Sequence, residues 1–191
     1  IVSAVDGSNL FKRSLTAVVL LAIIAAAVLL GHPWPEAALA LVGIVAFGEW
    51  FYMCRARMHW GWVALGAVYI AIAGATAVFM QYAYGLSITF WILCSVWAVD
   101  ILGFFVGPTI GGLKLAPKIS PHKTWAGAFG GVVGALLISL LFQWFGLLRQ
   151  HGDVLLCAIL IAIGAIIGDL LMSWVKRRLG VKDSSQLLPG H

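Results

Sequence analysis

Long apolar blocks are the feature that most limits how this sequence can fold. Six of them follow one another, and each is close to the roughly 17–25 residues that cross a bilayer as a helix. They span residues 14–31, 36–53, 61–80, 86–107, 125–148 and 154–175. Because lipid offers the backbone no hydrogen-bond partners, each block must be helical. The sequence therefore predicts an all-α, polytopic integral membrane bundle with six transmembrane helices.

The composition excludes an ordinary soluble domain. The chain of 191 residues is 62% hydrophobic and 10% charged, whereas soluble domains are roughly 45–50% apolar and about 25% charged. The first block follows Lys12 and Arg13 like a signal peptide, but its length and the five later blocks favour a retained helix. We expect one membrane domain over 1–191. Residues 1–80 hold three spans, and 81–191 hold three more with a loop at 107–125 and a tail at 173–191.

The basic residues predict the orientation. All but Arg149 lie at alternate ends of the predicted helices: Lys12, Arg13, Arg55, Arg57, Lys114, Lys118, Lys123, Lys176, Arg177, Arg178 and Lys182. The positive-inside rule then puts both termini in the cytoplasm. The net charge of +5 mostly reflects this topology, so we expect no nucleic-acid partner.

Three acids fall inside predicted spans: Glu49, Asp100 and Asp169. A carboxylate in the hydrocarbon costs about 2.5–3.5 kcal/mol even on insertion scales, so it is a functional candidate by default. All three lie toward the ends of their helices that carry the basic loops. Acids and bases thus converge on one membrane face, where we expect the chemistry.

A graded polar stripe follows the last predicted helix. Asp169, Ser173, Lys176 and Arg177 have the spacing of one helix face. The acid could hold a divalent cation, and the cations could hold phosphates. The alternative is a helix anchored by lysine and arginine side chains that reach the membrane interface, with Asp169 paired to one of them.

The longest predicted cytoplasmic loop, at 107–127, carries hydroxyls and cations at Lys118, Ser120, Lys123 and Thr124. It contains no phosphate-loop motif, and by composition it could equally be a connector. The following helix opens with Gly127, Gly130, Gly131 and Gly134. This spacing predicts a small-residue face for close helix packing.

Several segments together resemble the phosphatidate cytidylyltransferases (CDP-diacylglycerol synthases). The end of the chain, "GDLLMSWVKRRLGVKDSSQLLPGH", is similar to the family motif S-x-x-K-R-x4-K-D with a later P-G-H. The loop "LAPKISPHKTWAG" is similar to P-K-x-S-P-K-K-T-W-E-G, and "VDILGFFVG" to D-x-x-A-Y-x-x-G. "GEW" at 48–50 matches a glutamate-tryptophan pair common in an early span. The resemblance covers nearly the whole chain.

The resemblance implies a Mg²⁺-dependent enzyme of the bacterial-type inner membrane, acting on CTP and phosphatidate at the cytoplasmic face. Whether the protein forms a homodimer stays open. It implies catalytic roles for Asp100, Asp169, Lys176 and Arg177, with Asp169 as the metal ligand. The implied substrate-binding residues are Ser120, Lys123, Thr124, Ser173, Lys182, Asp183 and His191.

The sequence departs from the family pattern at three places. Ala126 replaces the usual glutamate, and His122 replaces a lysine. The expected Gly-Gly and D-R-x-D acids would follow His191, which suggests truncation within the motif. Two alternatives stay open. One is an inactive homologue or fragment. The other is a transporter with an ion path through Asp100 and Asp169, although that class predicts acids near mid-membrane and internal repeats.

These departures generate a prediction about the 191-residue chain. We expect it to insert and to bind CTP weakly, but not to make CDP-diacylglycerol. Mg²⁺ often takes two carboxylates with its phosphates; Asp100 is a possible second ligand beside Asp169, but the resemblance places that ligand in the D-R-x-D acids that would follow His191. The measurement is conversion of radiolabelled CTP into lipid-extractable product, compared with a chain extended through the downstream acids. Robust conversion by the shorter chain would contradict the expectation.

Overall fold

The computed structural model describes residues 26–27, 30–55, 60–148 and 153–181. Most of the first predicted span, at 14–31, lies outside these residues. The predicted site residues Lys182, Asp183 and His191 also lie outside them.

Five helices within the described residues are long and apolar enough to cross a membrane. They are α1 (Trp34–Arg55), α2 (Trp60–Tyr84), α3 (Leu86–Ile110), α4 (Trp125–Trp144) and α5 (Val154–Leu179). Five of the six predicted spans are thus confirmed as helices. The structure does not test the prediction that both termini are cytoplasmic.

Several helix ends differ from the prediction. Helix α3 continues through Pro108 to Ile110, and the chain turns at Gly111, whose φ is 69°. Helix α4 stops at Trp144, and Gly146, with φ of 66°, follows its end. Positive φ costs glycine little, so Gly111 and Gly146 can end these two helices. Helix α5 runs four residues past the predicted 175, as the polar stripe requires.

A β-hairpin joins α3 to α4, which the all-α prediction did not include. Strands β1 (Lys114–Ala116) and β2 (Ser120–Thr124) pair antiparallel, with Lys114 opposite Thr124. The chain enters the hairpin through Gly111 and Gly112, both at positive φ. The Trp125 N–H donates to the Leu113 carbonyl over 3.0 Å, which ties the start of α4 to the hairpin.

The chain divides into two compact units. The described part of the first consists of α1, most of α2 and the residues next to them, together with 179–181, and the second covers 80–148 and 153–178. In the first unit, the Trp50 indole lies against Gly66 and donates to the Trp62 carbonyl over 2.8 Å. A glycine at 66 leaves room for the indole.

The second unit is built on close contact between α3 and α4. A Cβ at Gly134 would lie 2.7 Å from the Ala98 carbonyl oxygen, and one at Gly127 would lie 2.9 Å from that of Gly103. Gly131 meets Val99 in the same way. The small-residue face predicted for α4 is therefore confirmed, since these glycines let the two backbones approach.

A core of buried side chains extends from this contact to α5. Its members are Trp91, Val99, Ala135, Phe142, Leu148, Val154, Ala158 and Ala162. The Trp91 indole donates to the buried Ser139 hydroxyl over 2.9 Å, and that hydroxyl donates to the Ala135 carbonyl over 2.8 Å. The polar groups at this point of the core thus satisfy one another.

The glycine contact predicts a position-specific loss of stability. We expect Gly134→Ala to lower the free energy of unfolding by about 1–3 kcal/mol, because its methyl group would overlap the α3 backbone. Gly164→Ala is the matched control, since a Cβ there meets no atom within 4 Å. Thermal unfolding in detergent measures both. Equal stability of the two variants would contradict the prediction.

Candidate active site

A cavity of about 460 Å³ opens where α3, the hairpin, α4 and α5 meet in the second unit. Its lining residues are Val99, Asp100, Gly103, Phe104, Gly107, Pro108, Leu115, His122, Lys123, Thr124, Gly127, Ala128, Ile166 and Asp169. Most of this wall is apolar. The charged groups on it, Asp100, Lys123 and Asp169, are all residues that the sequence predicted for the site.

Two carboxylates reach the cavity from different helices. Asp100 lies on α3 and Asp169 on α5, and both residues are exposed. Four predicted site residues thus line one cavity: Asp100, Lys123, Thr124 and Asp169. The third intraspan acid, Glu49, lies on α1 in the first unit.

Lys123 connects the hairpin to α5. Its Nζ donates to Asp169 Oδ2, and their side chains are 26% and 52% exposed. Burial lowers the pKa of Lys123 below its ordinary value; the Asp100 carboxylate raises it, and Lys176 lowers it. The ammonium therefore lies in the fields of two acids and a second cation.

Thr124 has a structural function that the sequence prediction missed. It is the N-cap of α4, and its Oγ1 accepts the Gly127 N–H over 3.1 Å. The same hydroxyl donates to the Gly107 carbonyl over 3.4 Å, and the residue is 4% exposed. A threonine directly before an apolar helix is a recognised N-cap signal, so this function was readable from the sequence.

The polar stripe continues along α5 beyond Asp169. Arg177 donates from Nε to the Ile119 carbonyl over 3.5 Å, which makes a second link between α5 and the hairpin. Lys176 acts electrostatically on Lys123. Ser120 and Ser173 are half-buried, on β2 and α5 respectively. These four predicted residues do not line the cavity itself.

The residues on the cavity fit a cation that also binds phosphate oxygens. Within the described ranges no group of three or more His, Cys, Asp or Glu side chains could hold a metal ion. Asp100 and Asp169 nevertheless both face the cavity. Mg²⁺ commonly takes one or two carboxylates and completes its shell with water and substrate phosphates.

Sequence reasoning predicted Asp100 on α3 but missed the other α3 residues of the cavity wall. Asp100, Gly103, Phe104 and Gly107 are spaced as one helix face, and all four line the cavity. That spacing was visible, but glycine and phenylalanine in an apolar helix do not stand out as site residues. His122 also lines the cavity, beside Lys123 on β2.

Fold and cavity together define a helical membrane protein with a charged site among apolar helices. A model of the cytidylyltransferase family matches residues 57–191, and the chain belongs to this family. The resemblance stated from the sequence is thereby confirmed.

Several similar proteins are named phosphatidate cytidylyltransferase. The chain is 39% identical over 133 residues to a phosphatidate cytidylyltransferase of Brucella abortus, covering 69% of this chain and 49% of that protein. It is 32% identical over 197 residues to one of Rickettsia bellii, covering 96% and 82%. A Haemophilus influenzae relative is 41% identical over 114 residues, covering 56% and 39%. The chain spans about half the length of the Brucella relatives it matches.

The two hydrogen bonds of the Thr124 hydroxyl predict how much it contributes to stability. We expect Thr124→Val to lower the free energy of unfolding by about 1–2 kcal/mol, because the cap is lost at nearly constant side-chain volume. Thr124→Ser keeps a hydroxyl at this position and should retain most of the free energy of unfolding. Thr109→Val is the control, since Thr109 is exposed and its hydroxyl only donates to the Phe105 carbonyl within α3. Equal thermal stability of Thr124→Val and Thr109→Val would contradict the capping function of Thr124.

Proposed function

We propose that this protein is a CTP:phosphatidate cytidylyltransferase, which makes CDP-diacylglycerol and pyrophosphate for phospholipid synthesis. The observation that carries the proposal is the joint presence of Asp100, Asp169 and Lys123 on one cavity among apolar helices. Family membership and the names of the relatives support it. A transporter is not favoured, because the family is one of nucleotidyl transfer.

The reaction needs charge control more than a protein nucleophile. A phosphate oxygen of phosphatidate attacks the α-phosphorus of CTP, the new P–O–P bond forms, and the bond to the leaving pyrophosphate breaks. Both reactants are anionic. The protein must therefore reduce their repulsion and stabilise the charge that develops on pyrophosphate.

The basic residues are suited to that task. Lys123 on the hairpin, with Lys176 and Arg177 on α5, would bind the phosphates of CTP and the lipid. Ser120 and Ser173 would add hydroxyl donors at the edge of the same site. The Thr124 hydroxyl supports this arrangement by capping α4 directly beside Lys123.

Asp169, with Asp100, would hold Mg²⁺ at the cavity. When bound, the ion would neutralise charge on the triphosphate and on the pyrophosphate that leaves. Two carboxylates on one cavity support this assignment, since the remaining ligands would be phosphate oxygens and water.

The location of the charged groups suits a lipid substrate. The apolar cavity wall includes Phe104, Pro108 and Ile166, which would lie next to the acyl chains while the headgroup meets the charged residues. We propose six transmembrane helices with both ends in the cytoplasm of a bacterial-type inner membrane. The cavity then faces cytoplasmic CTP, in line with the positive-inside rule.

Removal of the Asp169 charge tests the proposed function. In a chain extended to the full length of its relatives, we expect Asp169→Asn to reduce Mg²⁺-dependent conversion of CTP into lipid product by about a hundredfold or more. Asp153→Asn is the control, because Asp153 is exposed just before α5, away from the cavity lining. Membrane insertion should be equal for both. Near-normal turnover by Asp169→Asn would eliminate the assignment.

A further inference from the structure

The contact between Lys123 and Asp169 puts an ammonium group on the carboxylate assigned to the cation. The two side chains come from the hairpin and from α5, 46 residues apart in sequence. Lys123 Nζ donates a hydrogen bond to Asp169 Oδ2. A cation that binds Asp169 would compete with this ammonium for the same Oδ2 atom. The inference rests on the proposed function, because it takes Asp169 as the cation ligand.

The charges around the cavity favour an exchange of partners. Asp100, Asp169 and Lys123 are the charged groups on its wall, so two carboxylates and one ammonium leave one net negative charge. A divalent cation would change that sum to one positive charge. Lys123 is attracted by Asp100 and repelled by Lys176. Once the carboxylates are neutralised, the balance at Lys123 favours an anion.

We propose that Lys123 is an internal counter-ion of Asp169, which leaves this carboxylate when a divalent cation binds there. The freed ammonium then turns to anionic oxygens in the same cavity. Lys123 thereby lowers the cation affinity of the nucleotide-free protein, and it couples cation binding to binding of a phosphate ligand.

The exchange requires only a side-chain movement. Strand β2 and the Thr124 cap hold the Lys123 backbone, since Thr124 Oγ1 bonds to both Gly127 and Gly107. Lysine carries its charge on a flexible four-carbon stem. The side chain is 26% exposed, so it has room to rotate while the hairpin stays in place.

The experiment measures the Mn²⁺ affinity of the same extended chain that is used in the turnover test. It is done in detergent, without nucleotide or added lipid. Free Mn²⁺ is followed by electron paramagnetic resonance. We expect Lys123→Met to bind Mn²⁺ about fivefold more tightly. Loss of a partly exposed ion pair changes an equilibrium by up to about that factor, and loss of the lysine charge removes repulsion of the cation as well. Lys123→Arg keeps the charge and should retain the affinity of the unaltered protein.

Two further variants make the result specific. Lys118→Met removes the same charge from an exposed position in the hairpin turn and should leave Mn²⁺ affinity unchanged. Asp169→Asn should lose Mn²⁺ binding. If Asp169→Asn binds normally, the proposed cation site is wrong. If it loses binding while Lys123→Met matches the unaltered protein, only the counter-ion role is overturned.

A second measurement needs no substitution and so does not depend on the variants folding. Lys123 and Lys118 are acetylated with an activated ester, with and without Mg²⁺, and the two sites are quantified by mass spectrometry. We expect Mg²⁺ to raise the labelling of Lys123 relative to Lys118 severalfold, because the cation releases the ammonium from Asp169. An unchanged ratio would overturn the proposal.

Discussion

The close approach of α3 and α4 is the constraint on which the rest of the second unit depends. Gly127, Gly131 and Gly134 bring α4 against the α3 backbone so closely that a methyl group at Gly134 would lie 2.7 Å from a carbonyl oxygen. The hairpin joins these two helices. Their contact therefore holds the two ends of the hairpin, which carries Lys123 and Thr124 next to the start of α4. Without a hydrophobic driving force between helices in lipid, such close contact is a main source of association.

The site depends on links between elements that are distant in sequence. Lys123 bonds to Asp169, and Arg177 bonds to the Ile119 carbonyl, so the hairpin is held to α5 at two points. Asp169, which would be costly alone in an apolar surrounding, thereby acquires a basic partner. Under the proposed function, Lys123 would have two alternative partners, the Asp169 carboxylate or a substrate phosphate. This is what makes it a candidate for coupling cation and nucleotide binding.

Much of the site could be predicted from the sequence because charge is rare in this chain. Asp100 and Asp169 stood out as acids within apolar blocks, and the i, i+4, i+7, i+8 stripe on α5 followed from helix periodicity alone. The glycine face of α4 was predicted by its spacing. The hairpin was not, because three- and five-residue strands carry too little pattern to separate from a loop. Nor was the ion pair of Lys123 with Asp169, since 46 intervening residues leave partner choice open.

The sequence by itself determined that this chain enters a membrane, which of the described segments are helical and which residues are candidates for the chemistry. Those properties are local: hydropathy over about 20 residues, helical periodicity, and motifs that read in order along the chain. Only the tertiary structure decided which acid Lys123 contacts and that α3 supplies Gly103, Phe104 and Gly107 to the cavity wall. The reason is physical. Partner choice depends on distances between helices, and those distances are set by packing contacts between residues far apart in sequence.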